Sequence, residues 1–296
     1  MLAVITPVKN EPKRLLCIAK QLLSQTFTPK LWVIVDDGST DTTANVISEL
    51  ERKHEFISSI YIPKVEGYNE VFRYGSLIRT GLKYAIDSCE SLELCGILDV
   101  DVKLGKNYYK QIVSSFTKVP KLGVASGLFY ESENGTTRIN LISWICGATM
   151  VFNRECLEDI RGFPTCPCPD TVALLKVANR RWRIGILSST YAIHLRANKS
   201  FNKYLKLGIA RYILGYHPLN VLLSGPFEAL KNFSISPLGF TAGYLLGALR
   251  TNEIADEEIY RYFHESFFRS SCKLISNLPF CKKINLDPLE NAVVRL

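Results

Sequence analysis

The sequence lacks most of the signatures that settle a function cheaply. Its nine cysteines are scattered at positions 17, 89, 95, 146, 156, 166, 168, 272 and 281, with no Cys-x-x-Cys pair among them. A zinc site wants two knuckles at suitable spacing, so free thiols in a reducing compartment are the expectation. No Gly-x-Gly-x-x-Gly opens a helix, which argues against a dinucleotide-dependent oxidoreductase. Nowhere do about 18 apolar residues run uninterrupted, so no spanning helix is expected. The stretch MLAVITPVKN has no charged leader and no long apolar core, and the expectation is a cytosolic protein without a secretory signal. Internal repeats, low-complexity tracts, helix-turn-helix modules and zinc modules are all missing.

What is present is an ordinary globular composition, 47% hydrophobic and 22% charged over 296 residues. That length suits one large α/β domain, or one domain with a helical appendage. The formal charge of +8 is uneven: Arg196 to Lys283 carries twelve Lys/Arg against six Asp/Glu, a net of +6. Such a basic tail suits nucleic acid, an anionic membrane face or an acidic substrate, and equally a solvated surface.

Short β-forming runs alternate with helical patterns. Leu2 to Thr6 reads as a strand stopping at Pro7, and Pro12 to Gln25 as a helix. Leu31 to Val35 is a second strand, and Thr40 or Asp41 is placed to cap a helix running to about Lys53. Ser59 to Ile62 is a third strand, Gly75 to Ser88 a helix, and Gly96 to Val100 the next strand. A further helix and strand run from Tyr108 to Phe129. After an apolar stretch come helices near Arg154 and Thr171, then two short strands, Trp182 to Leu187 and Tyr191 to His194. The alternation predicts a doubly wound, mostly parallel sheet with helices on both faces. Ligands of such sheets bind beyond the carboxyl ends of the strands. Thr6, Asp36, Asp37, Asp99 and Asp101 all fall at or just after strand ends, and should gather on one edge.

Within CGILDVDVKLG, Asp99 and Asp101 stand two apart in what reads as an extended segment, so their carboxylates should share a side. Three readings are open for such a pair: solvated loop acids, an acid/base couple, or ligands for a hard divalent cation shared with substrate phosphates.

Three segments taken together, ITPVKNEPKRLL, VIVDDGSTDTT and ILDVD, resemble the family 2 glycosyltransferases of the GT-A fold. Downstream, GATMVFNRECLEDIRGF, PDTVALLKVANRRWRIG and TYAIHLR are similar to later segments of that family, and the likeness covers about residues 1 to 197. The resemblance implies that Thr6, Pro7 and Glu11 lie along the nucleotide, and that Asp36 and Asp37 contact base and ribose. It implies Arg79 near the nucleotide or its diphosphate, Asp99 at the ribose or a metal-bound water, Asp101 on the metal, and His194 at the metal or diphosphate. The cofactor implied is Mg²⁺ or Mn²⁺. Asp170 would be the base of an inverting transfer, although Pro169 stands where the family usually has Glu.

The expected division is a nucleotide-sugar-binding catalytic domain over residues 1–200 and a helical, basic, amphipathic region over 201–296. The tail alternates aromatics, leucines and lysines with Gly and Pro. It suits interfacial contact with a membrane through 201–250, or packing on the catalytic domain or a partner copy in a homo-oligomer. It also resembles tails of family members acting on membrane or lipid-linked glycans. The sequence therefore reads as a metal-dependent inverting glycosyltransferase, cytoplasmic or peripheral on the membrane, with a nucleotide-diphospho-sugar donor and a glycan or lipid-linked acceptor. A non-catalytic nucleotide-sugar or glycan-binding scaffold is the alternative. A sugar-nucleotide pyrophosphorylase is weaker, because ITPVKNEP lacks a Gly-rich phosphate loop. Nucleic acid is not an expected partner.

Overall fold

A computed structural model describes residues 1–63, 70–133, 136–142, 145–195, 200–231, 233–251, 254–265 and 288–296. Cys272, Cys281 and six tail cations (Arg196, Lys199, Arg269, Lys273, Lys282 and Lys283) lie outside the described residues. The chain forms two compact units. One holds Met1–Thr165, Pro169–Ala197 and Ala292–Leu296; the other holds Cys166–Cys168 and Asn198–Asn291.

The first unit is built on a ten-stranded sheet with helices around it. Its N-terminal half alternates β1 (Leu2–Val8), α1 (Pro12–Leu23), β2 (Leu31–Asp36), α2 (Thr43–Lys53), β3 (Ile57–Tyr61), α3 (Glu70–Ser88) and β4 (Leu94–Ile97). Strands β3, β2, β1 and β4 lie side by side and all run parallel. Being covered on both faces, they read as nearly continuous apolar runs, and Ala3, Val4, Ile5, Trp32, Val33 and Ile34 are fully buried. Proline did not end the first strand: β1 continues to Val8, with Pro7 facing Val35 across the ladder.

The second half is mixed. After β5 (Val102–Leu104) and α4 (Tyr108–Lys118) come β6 (Leu122–Glu133), β7 (Thr136–Ile142), β8 (Val151–Asn153), α5 (Arg154–Asp159), α6 (Pro169–Asn179) and β9 (Arg183–His194). The short β8 runs antiparallel between β4 and β6, while β9 lies parallel to β6. The two short strands expected after Trp182 are one strand, whose ladder to β6 shifts register between Gly127 and Leu128.

The second unit contains α7 (Phe201–Ile213), α8 (Pro218–Lys231), α9 (Leu238–Arg250) and α10, helical over 257–265. The end of the chain departs from the helical region expected there. Beyond the short α11 (Pro288–Ala292), Val293–Arg295 form β10, which pairs in parallel with β9 of the first unit's sheet. No helix among the described residues is long and apolar enough to cross a membrane.

Candidate active site

At the carboxyl ends of β1, β2 and β4 the sheet opens into a recess of about 210 Å³, lined by Pro7, Lys9, Glu11, Arg14, Asp37, Tyr74, Asp99, Val100 and Asp101, among others. Parallel strands force this position, because each chain leaves its strand there to cross to a helix. A larger recess of about 500 Å³ lies along α4 beside Leu187 and Leu296, but Asp, Glu and His are all missing from its walls. Chemistry, not size, singles out the smaller one.

One end of the recess is organised by the turn after β2. The backbone N–H of Ser39 donates to Asp36 Oδ1 at 2.9 Å, closing a turn in which Gly38 has φ of +64°. Asp36 is thereby committed to the turn. Asp37 is the acid that faces the recess: Lys9 Nζ donates to its Oδ2 at 3.1 Å, and the Arg73 guanidinium to its Oδ1 at 2.7 Å. Its side chain is only 7% exposed, so the two cations offset the cost of burying the carboxylate. Arg14 and Glu11 form a further pair at 3.1 Å on the same wall.

The other end holds the carboxylate pair. It is not extended as expected: β4 stops at Ile97, and Val100 and Asp101 form a turn before β5. The turn is pinned from both sides. Leu98 N–H donates to Ile5 O, Asp99 N–H to Ala148 O, and Leu195 N–H to Asp101 O. The two acids still converge, through the turn and not through pleat periodicity. Asp101 Oδ2 lies 3.3 Å from Nε2 of His194, the last residue of β9, which pairs with Val102 in β5. Tyr74 donates its hydroxyl to Asp99 Oδ1 at 2.9 Å. Burial, then repulsion from Asp101, pushes the Asp99 carboxyl up to about 7, against the opposing pull of the Tyr74 hydrogen bond and His194. Burial, followed by the charge of Asp99, lifts the Tyr74 hydroxyl far above its ordinary range.

Asp170 stands in the first turn of α6. Burial raises its carboxyl above the ordinary aspartate range, while the N–H groups of Thr171 and of its own residue pull the other way. Its charge is felt by both Tyr74 and Asp99. A Cβ on Gly147 would come within 2.9 Å of Asp170 Oδ2, so the lack of a side chain at 147 makes room for the carboxylate.

Of the sequence-derived candidates, the recess thus gathers Pro7, Glu11, Asp37, Asp99 and Asp101, with His194 and Asp170 close to the carboxylate pair. It does not gather Thr6, whose fully buried hydroxyl accepts from Trp32 Nε1 at 2.9 Å. Nor does it gather Arg79, which donates to Arg161 O at 3.2 Å and lines a different recess with Leu82, Lys83 and Ile86. Arg73 and Tyr74 occupy the place expected of Arg79. At about 100° per residue, position 79 lies roughly 120° around α3 from position 73. The signal was available in the helical phase, because Arg73, Tyr74 and Leu77 form one stripe and Arg79, Leu82, Lys83 and Ile86 another.

The family model for glycosyl transferase family 2 matches residues 3–168, more than half of the chain and ending two residues before Asp170. Among solved structures, the mannosyltransferase PcManGT from Pyrobaculum calidifontis, in complex with GDP-Man and Mn²⁺, is similar at a TM-score of 0.55 and 16% identity, over 94% of this chain and 81% of that one. S. aureus TarS is similar at a TM-score of 0.52 and 18% identity over 72% of this chain, which spans only 39% of that TarS chain. TarS 1-349 in complex with UDP gives 0.52 and 17%, over 91% of each chain. These likenesses show the fold, which is of the GT-A type. Among curated proteins, none matches the chain.

Proposed function

The chain belongs to the family 2 glycosyltransferases, and on that premise we propose that it moves a sugar from a nucleotide-diphospho-sugar to a hydroxyl of a glycan or lipid-linked acceptor, inverting the anomeric carbon. The observation that carries this is the gathering of Asp37, Asp99, Asp101, His194 and Asp170 around the carboxyl edge of the parallel strands. Asp37, held by Lys9 and Arg73, takes base N–H and ribose hydroxyl groups, for which a carboxylate is the natural acceptor. Lys9 and Arg73 keep Asp37 ionised and in place for that role, and Arg14 is held by Glu11 on the same wall.

The donor set fits a hard divalent cation. Burial, then repulsion from Asp101, raises Asp99 to about 7, a cost that a bound cation would relieve, and carboxylate oxygens suit Mg²⁺ or Mn²⁺. Among the described residues no three His, Cys, Asp or Glu side chains are grouped to hold a metal ion by themselves, so substrate oxygens or water would have to complete its shell. Asp101 would hold it, with Asp99 and His194 beside it. When bound, it supplies charge that stabilises the departing diphosphate. Asp170 takes the proton of the acceptor hydroxyl as that oxygen bonds to the anomeric carbon, and the diphosphate leaves with the electron pair of the broken C–O bond. Gly147 keeps the base in place, and Tyr74 orients Asp99.

The test is a thermal-shift screen of nucleoside diphosphates with and without Mn²⁺ or Mg²⁺, followed by transfer assays. One diphosphate should stabilise the protein only when metal is present, and Asp101→Ala should abolish that dependence. A metal effect that survives Asp101→Ala overturns the metal assignment. Binding without transfer to any glycan or lipid-linked acceptor would make the protein a scaffold.

A further inference from the structure

One turn of α3 reaches both ends of the recess. Arg73 and Tyr74 are adjacent on it, and consecutive helical residues point about 100° apart, so neighbouring side chains can serve separate partners. The Arg73 guanidinium donates to Asp37 Oδ1 at 2.7 Å and to Ile62 O at 3.4 Å, which ties it to the acid after β2 and to the chain leaving β3. The Tyr74 hydroxyl donates to Asp99 Oδ1 at 2.9 Å, beyond the end of β4. Strand β1 lies between β2 and β4, so the two acids follow strands about 10 Å apart.

Two glycines seat the helix that carries this pair. A Cβ on Gly81 would come within 2.6 Å of Ile5 Cγ2 and 2.8 Å of Val35 Cγ2, side chains of β1 and β2 themselves. A Cβ on Gly75, next to Tyr74, would collide with the carbonyl oxygen of Pro164. Close approach at both glycines therefore sets where α3 sits against the strands that lead into the site. The donors on Arg73 and Tyr74 are fixed in space by that seating, and each fixes a carboxylate in turn.

We propose that Arg73 and Tyr74 act as one positioning frame: they set the spacing of Asp37 and Asp99, so that a nucleoside diphosphate held at Asp37 brings its phosphates to a cation at the carboxylate pair. This role rests on the transferase reading above and goes beyond it, because it makes the metal-dependent gain in donor affinity a property of α3 as well as of Asp101. Tyr74 engages one oxygen of Asp99 and thereby fixes the direction of the other. Outer partners of this kind typically contribute about 10- to 100-fold to metal affinity. A hydroxyl that merely satisfied a buried carboxylate would contribute to folding stability and leave donor binding as it was.

The test is calorimetric titration of the full chain with UDP, GDP, ADP and CDP, each with and without Mn²⁺. It compares the wild type with Tyr74→Phe, Arg73→Ala and the double variant. In the wild type, Mn²⁺ should tighten binding of one diphosphate by about tenfold or more. Tyr74→Phe, which keeps the ring and its packing, should cut that gain about tenfold and leave metal-free affinity within about twofold. Arg73→Ala should weaken metal-free binding and also cut the gain, although its partner Asp37 stands at the other end of the recess. The double variant should lose no more of the gain than Tyr74→Phe alone, because either change already breaks the frame. Arg79→Ala, on the other stripe of α3, should change neither quantity. A gain unaltered by Tyr74→Phe, an equal loss of metal-free affinity in that variant, or additive losses in the double variant would overturn the proposal and leave the transferase reading standing. No gain from Mn²⁺ in the wild type with any diphosphate would overturn the metal assignment and the frame together.

Discussion

The two units break the usual partition of residues in opposite directions. The sheet unit draws charge inward: Asp37 is nearly buried, Asp99 and Asp170 are raised by burial, and Lys9, Arg73, Tyr74 and His194 are spent on pairing those acids. The helical unit turns Leu219, Leu223, Phe227 and Leu230 outward along α8, while Val221, Phe240 and Tyr244 lie within. Buried charge must be offset by pairing, and exposed apolar side chains forgo burial, so each departure costs stability where it stands. A fold optimised for stability alone would hold neither.

The sharpest way to break the contrast is at Asp170. Asp170→Asn should lower transfer by about 10² to 10⁴, the range of general-base catalysis, while nucleotide stabilisation in thermal shift is kept. Because burial raises this carboxyl, it holds its proton to a higher pH than an ordinary aspartate. The transfer rate should fall as pH drops through the raised value, placing the acid limb above the usual value of about 3.9. A limb at or below that value would show the base to be another group.

Gly147→Ala should come next. Its Cβ would lie within 2.9 Å of Asp170 Oδ2, and a displaced base costs up to about 10²-fold in kcat. An unchanged kcat would mean that Asp170 does not act from this position. Two arginines on one helix give a smaller effect and a clean contrast. Arg73→Ala should weaken nucleotide affinity by about tenfold or more, as loss of a charged hydrogen-bond partner does, whereas Arg79→Ala should leave it unchanged. The reverse pattern in titration calorimetry would restore the assignment made from sequence.

Thr6→Val tests the inner side of the same strand. It leaves Trp32 Nε1–H without its acceptor in the core and should cost about 1–3 kcal/mol in denaturant unfolding, with little change in nucleotide affinity. The smallest effect concerns the thiols. Burial lifts Cys95 to about 12, so in the native protein Cys17, which is exposed, should alkylate at neutral pH while Cys95 stays unlabelled.

Much of the fold was legible because buried parallel strands announce themselves as apolar runs. LAVIT and LWVIV lie within β1 and β2, and the acids following β2 and β4 came with them. Where reading failed, geometry beyond the local period was responsible. Asp99 and Asp101 were taken as neighbours on a strand, yet they meet through a turn pinned by Ile5, Ala148 and Leu195. Arg79 was named and Arg73 was not, because motif position says nothing of helical phase. Thr6 looked like a strand-end polar residue, and only the Trp32 indole across the sheet shows that it faces inward. The C-terminal Val293–Arg295 gave no local sign of adding a strand beside β9.

By itself, then, the sequence determined the alternation of strands and helices, the edge on which the acids collect and the family, because apolar periodicity and short motifs are local properties of the chain. Tertiary structure alone decided which acid meets which cation, that Gly147 makes way for Asp170, and that α8 turns its leucines to solvent. Those facts depend on contacts between residues far apart in the chain, such as Asp37 with Arg73 and Asp101 with His194, and no local pattern encodes a distance.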